Sequence, residues 1–261
     1  MTLMRAGPDK RVIIISVALI YLWYFVVDED GANMGPEDLE KYKTDLTEWV
    51  QENEEELRAI QTERRENVQN VCKHYGIDRK TNEIPQAAWD LGLLADEWNY
   101  LKRVNWYYIY WSKKHSLVWC KVPKAGSSTW TYNFLKLAGV DPKSHIHKAL
   151  RDHYPRQESN KVMHDTFRFM VVRHPFERIL SAYRDKLEDL ARDMEARDGF
   201  YYTMYGKAIV AEYRDRSDKN LTGVLEPTWK EFVTYLLNTP VTKYDEHWMP
   251  IWMLCSPCRV R

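Results

Sequence analysis

The hydrophobic pattern changes period twice along this chain. Leu117 to Val122 is a largely apolar and aromatic run. It gives way to Pro123-Lys124-Ala125-Gly126-Ser127-Ser128-Thr129, and then Trp130, Phe134, Leu135 and Leu137 recur at roughly helical spacing. Continuous apolar character followed by a period near 3.6 predicts strand, loop and helix in turn. Ser127 or Ser128 is the expected N-cap and Gly139 the expected stop. The second change lies about fifty residues on. Thr166 to Val172 reads as a buried strand, Arg173-His174-Pro175 as the turn, and Ile179, Leu180, Tyr183, Leu187 and Leu190 as the apolar stripe of a helix. Arg178, Ser181 and Asp185 fall on another face of that helix.

Towards the N-terminus the pattern is different. Val12 to Val27 is the one long apolar run, with Arg5, Lys10 and Arg11 before it and Asp28, Glu29 and Asp30 after it. As a helix it would be roughly 24 Å long at about 1.5 Å per residue, suited to the thinner membranes of the early secretory pathway. No small-x-small cleavage site closes the run, so it reads as an uncleaved anchor with its basic flank cytosolic. From Gly35 to about Gln69, Leu39, Tyr42, Leu46, Trp49, Leu57 and Ile60 sit at three- and four-residue steps among Glu, Lys and Arg, which predicts a solvated helical stem. Asn53 and Arg64 interrupt the stripe and weigh against a stable coiled coil, leaving a homodimer open. Lys73 to Pro85 has the composition of a linker, and the aromatic-rich stretch from Trp89 to Trp111 is expected to pack onto the following domain. The segments are therefore a tail (1–11), an anchor (12–27), a charged stem and linker (28–95) and a lumenal domain (96–261).

Charge narrows the candidate chemistry. Lys+Arg and Asp+Glu both total 38 in 261 residues, so nothing global favours nucleic acid as a partner, and an anion site must be a local arrangement. The Lys124 to Thr129 turn supplies one: a lysine, hydroxyls, a glycine permitting close approach, and the positive end of a helix dipole. It lacks the spacer and the Gly-Lys-Ser/Thr ending of the nucleotide triphosphatase loop. Arg173 at a strand end and Ser181 two turns into the next helix supply a second, which predicts a ligand with two separated anionic groups in the crevice of a parallel sheet. Asn220-Leu221-Thr222 is a glycosylation sequon. Cys72, Cys120, Cys255 and Cys258 are expected in disulfides, since Cys255-Ser-Pro-Cys258 has no second pair to complete a zinc site; their connectivity is left open.

Two motifs carry a family resemblance. Lys121-Val122-Pro123-Lys124-Ala125-Gly126 and Val172-Arg173-His174-Pro175-Phe176-Glu177-Arg178-Ile179-Leu180-Ser181-Ala182-Tyr183-Arg184-Asp185-Lys186 resemble segments of the Golgi membrane-bound carbohydrate sulfotransferases, in particular the chondroitin, dermatan and N-acetylgalactosamine 4-O-sulfotransferase group. Tyr205-Gly206-Lys207-Ala208-Ile209, His247-Trp248 and Leu254 to Cys258 match as well. His174 departs from the usual acid, and Ser127 and Thr129 from Cys and Asn; members also continue past the Cys-x-x-Cys, so the domain is expected to be incomplete at its C-terminus and a poor catalyst in this form.

The resemblance implies an α/β fold, a P-loop-like parallel sheet flanked by helices, preceded by one transmembrane helix and a helical stem. It implies transfer of a sulfuryl group from 3′-phosphoadenosine 5′-phosphosulfate (PAPS) to a glycan or proteoglycan hydroxyl, without a metal, by a single-pass Golgi membrane protein. Lys121, Pro123, Lys124, Ala125, Gly126, Ser127, Ser128 and Thr129 would surround the 5′-phosphosulfate, and Arg173 and Ser181 would hold the 3′-phosphate. Lys124 is the expected electrostatic catalyst and His147 the expected base, with His145, His153 and His164 as the other histidines between the motifs. A heparan sulfate sulfotransferase and a catalytically silent nucleotide- or glycan-binding protein are the alternatives.

Overall fold

The computed structural model describes residues 36–77, 104–141, 145–154 and 166–258. The expected anchor, the 95/96 domain boundary, most of the expected linker and His164 lie outside them. Among the described residues no helix is long and apolar enough to cross a membrane. The charged N-terminal pattern forms two helices, α1 (Pro36–Glu52) and α2 (Glu54–His74). They meet at Asn53, whose side-chain amide turns back to the Trp49 carbonyl at 2.7 Å and so competes with the helical bonding. Helix therefore runs into the stretch expected to be linker, through His74.

Three strands form the described sheet, in the order β1 (Ile109–Ser112), β2 (Leu117–Cys120), β3 (Phe167–Met170). β1 and β2 are antiparallel, with Ile109 opposite Cys120, and β2 and β3 are parallel, with Leu117 opposite Phe167. The expected parallel sheet is thus corrected to a mixed one. Only the single 3-10 turn Lys113–His115 and Ser116 separate β1 from β2, too short a link for a crossover, so those strands close as a hairpin. β3 is half-buried along its length rather than buried, because it lies at the edge of the described sheet.

Alternation along β2 gives each face of the sheet its own core. Val118 and Cys120 pack with Ile109, Val122 and Ala125 against Leu254 and Cys255 of α9 (Ile251–Cys255). Trp119 and Tyr110 point the other way, into Trp130, Phe134 and Leu135 of α3 (Ser127–Leu137) and Leu150 of α4 (Ile146–His153). The buried stripe of α3 is Trp130, Thr131, Phe134 and Leu135, while Leu137, expected on it, is exposed at the helix end. Gly139 stops the helix as expected: at φ +75° it lets its own N–H reach the Lys136 carbonyl and the Val140 N–H reach Leu135.

A further core joins α5 (Pro175–Lys186), α7 (Lys207–Tyr213) and α8 (Trp229–Asn238) through Ala182, Tyr183, Ile209 and Phe232, with Trp248. The short helix α6 (Leu190–Arg197) precedes a π-helical turn, Tyr202–Gly206, that runs into α7. Of the residues placed off the apolar stripe of α5, Arg178 is buried. The cysteines pair as Cys120–Cys255 and Cys72–Cys258. The second bond, with Ile77, Tyr75 and Trp252 around it, fastens the end of α2 to the residues after α9.

Phe134 is fully buried, 5.2 Å from the Trp119 ring and 5.8 Å from Tyr154. Phe134→Ala is therefore expected to cost about 3–5 kcal/mol of folding stability, read as a lower midpoint in denaturant unfolding.

Candidate functional site

The loop from β2 to α3 is built around two left-handed residues, Lys124 at φ +66° and Gly126 at φ +71°. Gly126 is the residue before the helix, and no side chain caps it; Ser127 and Ser128, expected as caps, lie inside the first turn. A lysine in the left-handed region costs about 1–2 kcal/mol, so its surroundings must hold it. Two contacts do so. The Lys124 ammonium meets Asp185 at 3.1 Å, and the preceding carbonyl, of Pro123, accepts from Arg178 Nε at 2.8 Å.

Arg178 spends its guanidinium on carbonyls alone, giving Nη1 to Met249 at 2.8 Å and Nη2 to Glu246 at 3.0 Å. One planar group thus ties the β2–α3 loop, α5 and the 246–249 segment together. Burial pulls its proton affinity down to about 10, with Glu246 opposing, so it stays charged.

Lys124, Arg173 and Ser181 line one cleft of ≈ 310 Å³ together with Glu177, Leu180, Arg184, Asp185 and Arg192. Four cations face two carboxylates there, which leaves the surface positive. Arg173 leans on Glu177 at 3.3 Å. Asp185, not singled out from the sequence as a site residue, gathers Lys124 (3.1 Å), Lys186 (2.9 Å), Arg192 (3.5 Å) and Arg197 (2.8 Å). Burial pushes its carboxyl up, but hydrogen bonds and charge from Lys186 and Lys124 outweigh this and hold it well below the usual carboxylate range. The cleft therefore gathers cations around an internal counter-ion.

The other expected residues sit beside the cleft rather than on its lining. Lys121, Pro123 and Ala125 are buried under the loop, and Ser127, Ser128 and Thr129 lie on the first turn of α3. Among the described residues Lys121 has no ion-pair or side-chain hydrogen-bond partner; burial depresses its ammonium, with Glu246 partly restoring it. His147, on α4, places Nδ1 3.3 Å from Thr131 Oγ1 and Nε2 3.4 Å from Ser128 Oγ. Thr131 already gives its proton to the Ser127 carbonyl at 2.7 Å. Nδ1 must then be the donor, and Nε2 accepts from Ser128. Burial first, then Lys121, Arg151, His247 and Lys186, hold the pKa of His147 down to about 4. His145 and His153 are exposed at the two ends of α4.

A second histidine stands nearby. Asp245 Oδ1 approaches His247 Nδ1 at 2.5 Å and also takes the His247 backbone N–H at 2.9 Å. Tyr205 donates to Asp245 Oδ2 at 3.4 Å, and Tyr201 Oη lies 3.3 Å from His247 Nδ1. The sequence offered only the His247-Trp248 match as a pointer to this pair, because the carboxylate two residues upstream carries no periodic signal.

The sulfotransferase family model matches residues 107–261. Carbohydrate sulfotransferase 14 of Danio rerio is 32% identical over 217 residues, covering 78% of this chain and 53% of that protein. Carbohydrate sulfotransferase 8 of Mus musculus is 34% identical over 168 residues, 58% of this chain and 38% of that protein. Carbohydrate sulfotransferase 11 of Rattus norvegicus is 28% identical over 162 residues, 56% and 44% respectively. The chain spans about half the length of the curated relatives it matches, or less. No solved structure matches it significantly.

His147 makes stability depend on pH with a definite sign. An unfolded histidine takes its proton near 6.5 and the folded one only near 4, so between those values the unfolded state binds more protons. The contribution is complete above about pH 6.5 and is lost as the pH falls towards about 4. Urea unfolding of wild type and His147→Gln over this range is expected to show the component in wild type and its absence in the variant.

Proposed function

The chain belongs to the sulfotransferase family, and from that premise we propose that it moves a sulfuryl group from PAPS to a glycan hydroxyl, of chondroitin type or containing N-acetylgalactosamine. The observation that carries the reading is the convergence of Lys124, Arg173 and Ser181 on one cationic cleft, although they come from two different strand–loop–helix units. A net positive surface with a hydroxyl and three guanidinium forks fits a donor bearing several negative charges. When bound, the donor supplies an activated sulfuryl group and a 5′-phosphate that leaves.

The chain's own residues then divide the work. Lys124, already held at Asp185, presents its ammonium where charge develops on the leaving oxygen, without having to be ordered at that moment. Ser127, Ser128 and Thr129 add hydroxyl and backbone donors from the first turn of α3. Arg173 exchanges its exposed contact with Glu177 for the 3′-phosphate, and Ser181 donates to the same group. Arg178 does not touch the ligand; it fixes the loop that does.

We further propose that residues 12–27 anchor the protein in the Golgi membrane, with the domain in the lumen. Two disulfides and no free cysteine support an oxidising compartment, and Asn220 and Thr222 are exposed, as a glycosylation acceptor must be.

Arg173→Ala removes a charge-assisted contact worth about 1.5–3 kcal/mol, so calorimetric affinity for 3′,5′-adenosine bisphosphate is expected to fall about tenfold or more. Lys124→Ala is expected to harm transfer from PAPS to a glycan panel more than it harms that affinity. A folded Arg173→Ala protein with unchanged affinity would discard the assignment, and binding without transfer by wild type would favour a silent nucleotide-binding protein. For topology, glycosidase treatment of the protein from secretory cells is expected to shift its mobility, and Asn220→Gln to abolish the shift; an unglycosylated, protease-accessible Asn220 in intact vesicles would rule out the lumenal placement.

A further inference from the structure

We propose that His247, held by Asp245, is the general base that takes the proton from the acceptor hydroxyl, in place of His147; the inference rests on the sulfotransferase reading above. The Asp245 carboxyl is buried yet kept ionised, chiefly by its contacts to His247, so it can only accept. At 2.5 Å, His247 Nδ1 must therefore be the donor, so that in the neutral form of the imidazole the lone pair lies on Nε2. Among the described residues that nitrogen has no hydrogen-bond partner, and it is not among the buried polar atoms sealed from solvent. The arrangement is a base with an orienting carboxylate behind it and an open acceptor in front.

Two independent routes tie His247 to the residues of the cleft. Arg178 holds the carbonyls of Pro123 and Glu246 on one guanidinium, so the residue before Lys124 and the residue before His247 are fixed to the same plane. From the other side, Lys124 and Lys186 share Asp185, the Lys186 ammonium lies 4.7 Å from the centre of the Tyr201 ring, and Tyr201 Oη stands 3.3 Å from His247 Nδ1. His147 is a poorer choice by the same criteria. Its Nε2 already faces the Ser128 hydroxyl, no carboxylate stands behind its Nδ1, and the cations around it oppose a further positive charge.

The step balances as follows. The acceptor oxygen forms a bond to sulfur while the bond from sulfur to the 5′-phosphate oxygen breaks, and that oxygen keeps the electron pair. The acceptor's proton passes to His247 Nε2, and the resulting imidazolium is stabilised by Asp245.

The test uses the 261-residue chain, with PAPS and a glycan panel for transfer and 3′,5′-adenosine bisphosphate for binding. His247→Ala is expected to lower turnover about a hundredfold or more, with nucleotide affinity held within about twofold, and added imidazole is expected to restore part of the loss. His147→Ala is expected to keep turnover within about tenfold of wild type. Asp245→Asn is expected to lower turnover without changing nucleotide affinity. Near-normal turnover in His247→Ala, or a loss of affinity in step with turnover and no response to imidazole, overturns the inference while leaving the sulfotransferase reading intact. A wild-type chain that transfers nothing to any glycan overturns both.

Discussion

One buried guanidinium sets the relation between the two motifs. Arg178 belongs to the second, yet its three hydrogen bonds go to the loop of the first and to the 246–249 segment. Removing a cation from water is costly, and three well-placed carbonyl oxygens are the compensation here. Because carbonyls sit on the backbone, this contact fixes main chain rather than another side chain. The left-handed Lys124 and the strand–helix turn around it inherit their position from Arg178.

A second carboxylate-centred arrangement explains how a chain of zero net charge offers a cationic site. Asp185 draws Lys124, Lys186, Arg192 and Arg197 to one point. Without it, like charges at that spacing would push one another apart. With it they stay in place, at the cost that any incoming anion competes with a resident one. Electrostatics at the site is therefore an exchange of partners, not the filling of a vacant positive hole.

Much of this was legible in the sequence and some was not, for identifiable reasons. β2, α3, β3 and α5 fall where the hydrophobic period changes, because continuous burial and a 3.6-residue stripe leave distinct traces. Lys124, Arg173 and Ser181 converge as their positions at strand ends and helix starts implied. The mixed sheet was missed because β1 lies within an aromatic stretch that signals burial without direction. Arg178 was not singled out as a site residue because a charged side chain gives no sign of burial until its partners are known, and here they are backbone atoms more than fifty residues away. The same holds for Asp245 and Asp185, whose meaning lies entirely in what folds against them. Thr131 replaced Leu137 on the buried stripe because its hydroxyl is satisfied within its own helix.

The disulfides carry a consequence for how the molecule is made. Cys72 is separated from its partner by 186 positions and Cys120 from its partner by 135. A ribosome delivers the chain from one end, so both early thiols emerge long before Cys255 and Cys258 exist. Until then each is open to the other, and a Cys72–Cys120 bond would pin the stem to the central strand. Correct closure waits for Cys255 and Cys258, and it makes an oxidoreductase that reverses early mistakes a natural accomplice of this chain's folding.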